Sequence, residues 1–270
     1  MKLSEAIRLF RDAGIESAEY DAREIFSEIG GFSKSDVRLL DCESERVALT
    51  DAISRRCERE PLQYILGVSY FYREKYRVNK SCLIPRADTE ILVDYAVKNI
   101  PRGARILDLC TGSGCIGISV LKNTDSTEAV LADISEEACA LARLNAEENG
   151  VSERACIFAC DVTADIADGS FYAILSNPPY VADGEYLALE REIYYEPKIA
   201  FVGGIDGGDF YRRLIPLYKP RLLNDGFMAF EIGYDQADLL REIAKAHGFS
   251  CEILKDFSGI DRVAVLKFTE

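Results

Sequence analysis

The chain predicts an α/β fold, a doubly wound sheet that carries its chemistry at the strand ends, with a small helical domain in front of it. Three observations predict this. Arg105-Ile-Leu-Asp-Leu109 is a short apolar strand pattern that runs through Cys110-Thr-Gly-Ser-Gly-Cys-Ile-Gly117 into the helical pattern of Ile116, Ile118, Val120 and Leu121, the strand–loop–helix opening of a nucleotide-binding sheet. Apolar runs of strand length then alternate with helical segments towards the C-terminus, which is the order of a doubly wound sheet. Residues 1–66 carry helical periodicity alone.

Taken in order, Ala6, Ile7, Leu9 and Phe10 and then Ala22, Ile25, Phe26 and Ile29 recur at helical spacing, with Gly14 and Gly30-Gly31 as stop signals. A further helix is expected over 44–59. Val68 to Val78 alternates about a polar centre, as a hairpin does. Residues 67–82 are therefore read as a β-hairpin linker between a helical, macromolecule-recognising domain over 1–66 and a catalytic domain over 83–270. The catalytic domain is expected to open on a helix over 89–98. Its strands are expected at 105–109, 129–132, 155–160, 171–176, 226–232, 249–254 and 262–268, with a helix over 235–246. Residues 203–208 hold four glycines and read as a loop.

In open α/β sheets ligands bind at the carboxyl ends of the strands, and four successive strands end on ligand-suited groups. The first supplies Asp108, Cys110, Thr111, Gly112, Ser113 and Gly114, where Gly112 and Gly114 let the backbone approach a ligand without a Cβ. Gly112, Gly114 and Gly117 also fit the dinucleotide spacing. However, Asp108 beside Thr111 would repel a pyrophosphate and accept a cation, such as the sulfonium and ammonium groups of S-adenosylmethionine (SAM). The second strand ends at Asp133, placed for two ribose hydroxyls, and the third at Asp161-Val162, placed for an adenine amino group and ring. Asp133, followed by Ser135, Glu136 and Glu137, also suits a helix cap. The succession of strand ends is what favours a ligand.

The fourth strand, Phe171 to Ser176, ends on Asn177-Pro178-Pro179-Tyr180. The prolines lack N–H groups and fix φ, so the loop offers acceptors with few competing donors. The Asn177 side-chain oxygen and the Pro178 carbonyl suit the two N–H bonds of a planar amide or exocyclic amine, and Tyr180 suits its flat face. The set fits alkylation of a planar –NH2 group. A proline-rich turn with no chemistry is the alternative.

Together these residues make the chain resemble the protein-(glutamine-N5) methyltransferases that modify class 1 peptide-chain release factors, within the class I SAM-dependent, Rossmann-like methyltransferases. The likeness runs through Pro61 to Gly67, Leu83 to Glu90, the glycine loop, Asn177 to Tyr180, Tyr195-Glu-Pro197, Gly203 to Tyr211, Phe230-Glu-Ile-Gly233 and Asp261-Arg262. Asn-Pro-Pro-Tyr is shared with adenine N6 methyltransferases, whereas the first two segments are more specific. Two departures are visible: Ala87 stands where the family usually has a second proline, and Cys110 where it usually has glycine. The resemblance implies SAM as cofactor and S-adenosylhomocysteine as product. It implies as substrate the glutamine of the Gly-Gly-Gln motif, with Pro85 and Arg86 near the entrance and the last strand antiparallel. Glu231 is a further candidate for lining the site. An adenine N6 methyltransferase acting on a flipped base and an inactive SAM-binding protein are the alternatives.

Composition bounds the partners. Lys plus Arg total 32 against 46 Asp plus Glu, a net charge of −14, which disfavours stable nucleic-acid binding because phosphate neutralisation needs a basic surface. A basic protein partner is favoured. No apolar run reaches the ~18 residues of a membrane span, and Met1-Lys-Leu-Ser-Glu-Ala6 lacks the apolar core of a leader. Nine cysteines without C-x-x-C spacing argue against a disulfide framework and a zinc site, so no metal is expected and a reducing cytoplasm is. The single histidine, His247, precedes Gly248 at a predicted helix end, where capping accounts for it.

Overall fold

Two units partition the chain in the computed structural model, which describes residues 1–125, 127–164 and 169–269. The first comprises Met1–Val68 together with Glu190–Tyr195, the second Ser69–Leu189 and Glu196–Glu270.

The first unit is built from α1 (Leu3–Asp12), α2 (Ala18–Glu28), α3 (Asp36–Leu39), α4 (Val47–Cys57) and α5 (Leu62–Leu66). Ala6 and Phe10 of α1, Ala22, Ile25 and Phe26 of α2, and Leu49 and Ile53 of α4 are buried in one apolar cluster, so the helical spacing in the sequence becomes the inward stripe of each helix. Inside it, Arg56 Nε donates to Asp21 at 2.7 Å with both side chains under a tenth exposed. Arg56 and Arg59 also pair with Glu192.

The second unit opens with a hairpin, β1 (Val68–Phe71) and β2 (Glu74–Arg77), followed by α6 (Glu90–Asn99). The hairpin does more than link. Phe71 and Tyr76 are buried in the core of this unit, and the Tyr76 hydroxyl lies 2.7 Å from Ser119 Oγ. Then follow β3 (Arg105–Leu109), α7 (Cys115–Asn123), β4 (Glu128–Asp133), α8 (Glu136–Glu148), β5 (Ala155–Ala159) and β6 (Phe171–Ser176). The chain closes with α9 (Asp209–Tyr218), β7 (Leu222–Glu231), α10 (Ala237–Ala246), β8 (Phe249–Lys255) and β9 (Asp261–Phe268).

The seven strands stand in the order β5-β4-β3-β6-β7-β9-β8. The first five are parallel, and β9 runs antiparallel to both β7 and β8. Successive residues of a strand face opposite sides. Leu107 and Leu109 thus join α9 and α10 in one core, and Ile106 joins α6 and α7 in the other. The chain moves outward from β3 through β4 to β5 and returns on the other side at β6, which creates the switch point where such sheets bind ligands. Among the described residues no helix is long and apolar enough to cross a membrane.

Candidate active site

A cavity lies at the carboxyl ends of β3, β4, β5 and β6. Cys110, Thr111, Gly112 and Ser113 line it from the loop after β3, Asp133 from the end of β4, Asp161 and Val162 from beyond β5, and Asn177 and Pro179 from beyond β6. Pro85, Arg86 and Thr89 line it from the segment before α6.

The glycine loop owes its shape to backbone conformations that side chains resist. Cys110, Gly112 and Gly114 have φ of 58°, 54° and 82°, so Cys110 occupies left-handed backbone that glycine adopts at no steric cost. This is the physical reason for a glycine at that position. Gly112 N–H donates to Asp133 Oδ2 at 2.8 Å, and Ser135 N–H to Asp133 Oδ1 at 3.0 Å. One carboxylate thereby holds the loop and the start of α8 together. Burial raises the Asp133 carboxyl above its ordinary range, and the backbone N–H groups of Ser135 and Gly112 oppose that shift. Ser135 Oγ accepts from Ala138 N, so Ser135, not Asp133, caps α8.

Two residues expected at the ligand do not line the cavity. Asp108 is fully buried and does not line the cavity: its Oδ2 accepts from Thr111 Oγ1 at 2.6 Å and Gly117 N at 2.9 Å. Its role is to tie strand, loop and helix together, and burial pushes its carboxyl up to about 7. Gly114 sits at the N-terminus of α7 with its α-carbon against Ile118 and Ala142, where a Cβ would come within 2.7 Å of Ile118 Cδ1.

The Asn177-to-Tyr180 loop also differs from expectation. Pro178 is buried, and neither it nor Tyr180 lines the cavity. The Tyr180 hydroxyl turns back to donate to Glu231 Oε1 at 3.0 Å, and its backbone oxygen accepts from Gln236 Nε2 at 2.9 Å. Glu231, at the end of β7, is 2% exposed and lies beneath the site without lining the cavity. Its Oε2 accepts from Thr89 Oγ1, and Asn177 Nδ2 donates to that same Thr89 Oγ1 at 3.3 Å. The glycine-rich segment read as a loop pairs with this one: Val181 N bonds Phe201 O, Gly203 N bonds Val181 O and Asp183 N bonds Gly204 O. A Cβ on Gly203 would lie 2.4 Å from the Pro179 oxygen, so glycine is required there by close backbone approach.

Glu196 secures the entrance segment. It is 5% exposed, accepts from Ile84 N at 2.8 Å and pairs with the Arg86 guanidinium. Arg86 has the extended backbone (φ −104°, ψ 141°) that a following proline imposes, so Glu196 anchors the segment where Ala87 does not. Thr89 and Glu196 were not singled out from the sequence. The signal for both was their place inside the segments Leu83 to Glu90 and Tyr195 to Pro197.

The cavity fits an adenosyl ligand. Carboxylates stand at two successive strand ends, Val162 offers an apolar wall, and the space over Gly112 is open, since a Cβ there would meet nothing nearer than Cys82 Cβ at 3.8 Å.

Two family models match the chain, the methyltransferase small domain over residues 87–196 and the PrmC N-terminal domain over residues 2–67. The chain is 42% identical over 221 residues to the release factor glutamine methyltransferase of Thermodesulfovibrio yellowstonii, an alignment covering 80% of this chain and 79% of the relative. It is 35% identical over 263 residues to the release factor glutamine methyltransferase of Caulobacter vibrioides, covering 94% and 91%. The crystal structure of a ribosomal protein L11 methylase from Lactobacillus delbrueckii subsp. bulgaricus shares the fold, with a TM-score of 0.53 and 21% identity over 72% of this chain and 85% of that one. The cavity at the switch point and this identity along most of both chains lead to one conclusion: the chain belongs to the release factor glutamine methyltransferase family of SAM-dependent methyltransferases.

Proposed function

We propose that this chain methylates the side-chain amide nitrogen of the glutamine in the Gly-Gly-Gln motif of class 1 peptide-chain release factors, with Asn177 as the acceptor that holds the amide. The observation that carries this is the position of Asn177. It lines the cavity shared with Asp133 and Asp161, and its –NH2 group faces Thr89 Oγ1, which leaves Oδ1 for a donor on the substrate. The relatives favour glutamine over the adenine alternative.

Asp133 and the loop at Gly112 would hold the ribose and methionine parts of SAM, and Asp161 and Val162 its adenine. SAM supplies an electrophilic methyl group on a sulfonium and leaves as S-adenosylhomocysteine. An amide nitrogen is a poor nucleophile because its lone pair is delocalised, so geometry and electrostatics supply most of the acceleration. Asn177 Oδ1 would accept an N–H of the amide and raise electron density on nitrogen as positive charge develops there; the Pro178 carbonyl, expected to take the second N–H, belongs to a buried residue that does not line the cavity. The nitrogen gains the methyl group and then loses a proton to solvent, so no strong base is needed. Tyr180, with its hydroxyl committed to Glu231, stiffens the loop.

The helical unit is assigned to substrate recognition, supported by its own family match and by the solvent-exposed Leu39, Leu40 and Val47. The −14 charge suits a protein partner better than nucleic acid, and an enzyme acting on release factors works in the cytoplasm with the translation machinery. The test is Asn177→Ala. It should lower the methyl-transfer rate by ~10²–10³, the range for one lost preorganised group, with SAM affinity changed by less than a few-fold. A normal single-turnover rate would sink the acceptor role.

A further inference from the structure

Glu231 joins both ends of the Asn177-to-Tyr180 loop. One carboxylate oxygen accepts the Tyr180 hydroxyl at 3.0 Å, and the other accepts the Thr89 hydroxyl. Thr89 in turn accepts from Asn177 Nδ2. A hydroxyl has one proton to give. With that proton committed to Glu231, Thr89 can only accept from its other neighbour, and the Asn177 amide must turn its –NH2 group towards Thr89.

The position of Thr89 strengthens this. It ends the 3-10 turn Ala87–Thr89 that runs into α6, with helical backbone (φ −65°, ψ −20°), and its side chain makes no cap bond. Its hydroxyl bonds Glu231 instead, at 1% exposure for Thr89 and 2% for Glu231. The orientation matters because an asparagine flipped end for end would set its –NH2 group against the –NH2 group of the substrate, two donors with no acceptor between them.

We propose that Glu231 is a positioning residue which, through the Thr89 hydroxyl, fixes the Asn177 amide so that it presents oxygen to the substrate nitrogen. This rests on the acceptor role of Asn177 given above. Burial raises the Glu231 carboxyl above its ordinary value, and the Thr89 and Tyr180 hydroxyls and the Arg262 charge oppose that shift.

Thr89→Val removes the hydroxyl and nearly keeps the shape. With release factor as substrate, kcat should fall about tenfold to a hundredfold, less than for loss of the acceptor itself. SAM affinity and KM for release factor should stay within about threefold, and Thr89→Ser should recover most of kcat because it restores the hydroxyl. In the Asn177→Ala background, Thr89→Val should cost less than about twofold, since the hydroxyl acts through an amide already removed. Glu231→Leu, which leaves no oxygen to take the Thr89 proton, should reproduce the Thr89→Val pattern. An equal cost of Thr89→Val in both backgrounds, or a loss of SAM affinity that matches the loss of kcat, overturns the relay by making Thr89 merely structural. Wild-type kcat in Thr89→Val beside an impaired Asn177→Ala overturns the relay alone. Wild-type kcat in Asn177→Ala overturns the acceptor role and the relay with it.

Discussion

Replacing Asp133 with alanine should weaken SAM binding and loosen the glycine loop, and the two effects can be measured apart. The carboxylate already accepts Gly112 N–H at 2.8 Å and Ser135 N–H at 3.0 Å. An ionised carboxylate has about four acceptor sites, so sites remain for two ribose hydroxyls. Losing charge-assisted bonds to the ribose should cost ~1.5–3 kcal/mol of binding, which is roughly a 10- to 150-fold rise in Kd. Stranding two N–H groups in a largely buried setting should cost a further ~1–3 kcal/mol of stability. Asp133→Asn keeps an acceptor for one N–H and should fall between wild type and Asp133→Ala in both respects. Calorimetric titration with SAM gives the first number and urea unfolding without SAM the second. Wild-type affinity in a folded Asp133→Ala protein would refute the ribose assignment, whatever the stability shows.

Other substitutions test the framework. Tyr180→Phe should lower stability by ~1–3 kcal/mol because it strips a donor from the buried Glu231 carboxylate, and an unchanged urea midpoint would contradict the 3.0 Å bond. Gly203→Ala should impair methyl transfer and stability together, since its Cβ would lie 2.4 Å from the Pro179 oxygen; a variant with normal activity and midpoint would show that the paired segments have room to part. Asp108, whose folded value is raised to about 7 from 3.8, holds a proton that the unfolded chain gives up. Its contribution is therefore full below about pH 4 and is lost as pH rises through about 7, by up to roughly 4 kcal/mol. Asp108→Asn has no such proton to lose, so its stability relative to wild type should rise across that window, and parallel pH profiles would contradict this.

The sequence made the sheet legible because its strands are short apolar runs ending on glycines, acids or Asn177, and each signal is local. The amphipathic set Tyr211, Leu214, Ile215 and Tyr218 of α9 was equally present, but it follows a glycine-rich segment and carries Pro216, which hid it. α3 and α5, at four and five residues, are too short to show a period. At the site, the residues lining the cavity were readable one strand end at a time. The arrangement beneath them was not, because the Asn177–Thr89–Glu231–Tyr180 chain joins residues 88 and 142 positions apart. The burial of Asp108 was hidden for the same reason: position in the motif does not say which face of β3 its carboxylate takes, and the answer depends on Thr111 and Gly117 folding back onto it. Arg86 reads only as a residue near the entrance until Glu196 is placed against it.

The central claim is the identity of the methylated atom, and the most direct measurement is mass mapping after incubation with labelled SAM. Purified class 1 release factor, DNA and RNA are offered separately to the full chain, and each product is digested and mapped. One methyl group on the side-chain nitrogen of the Gly-Gly-Gln glutamine, with no label in either nucleic acid, is the predicted result. Label on adenine with an unmodified release factor would contradict it.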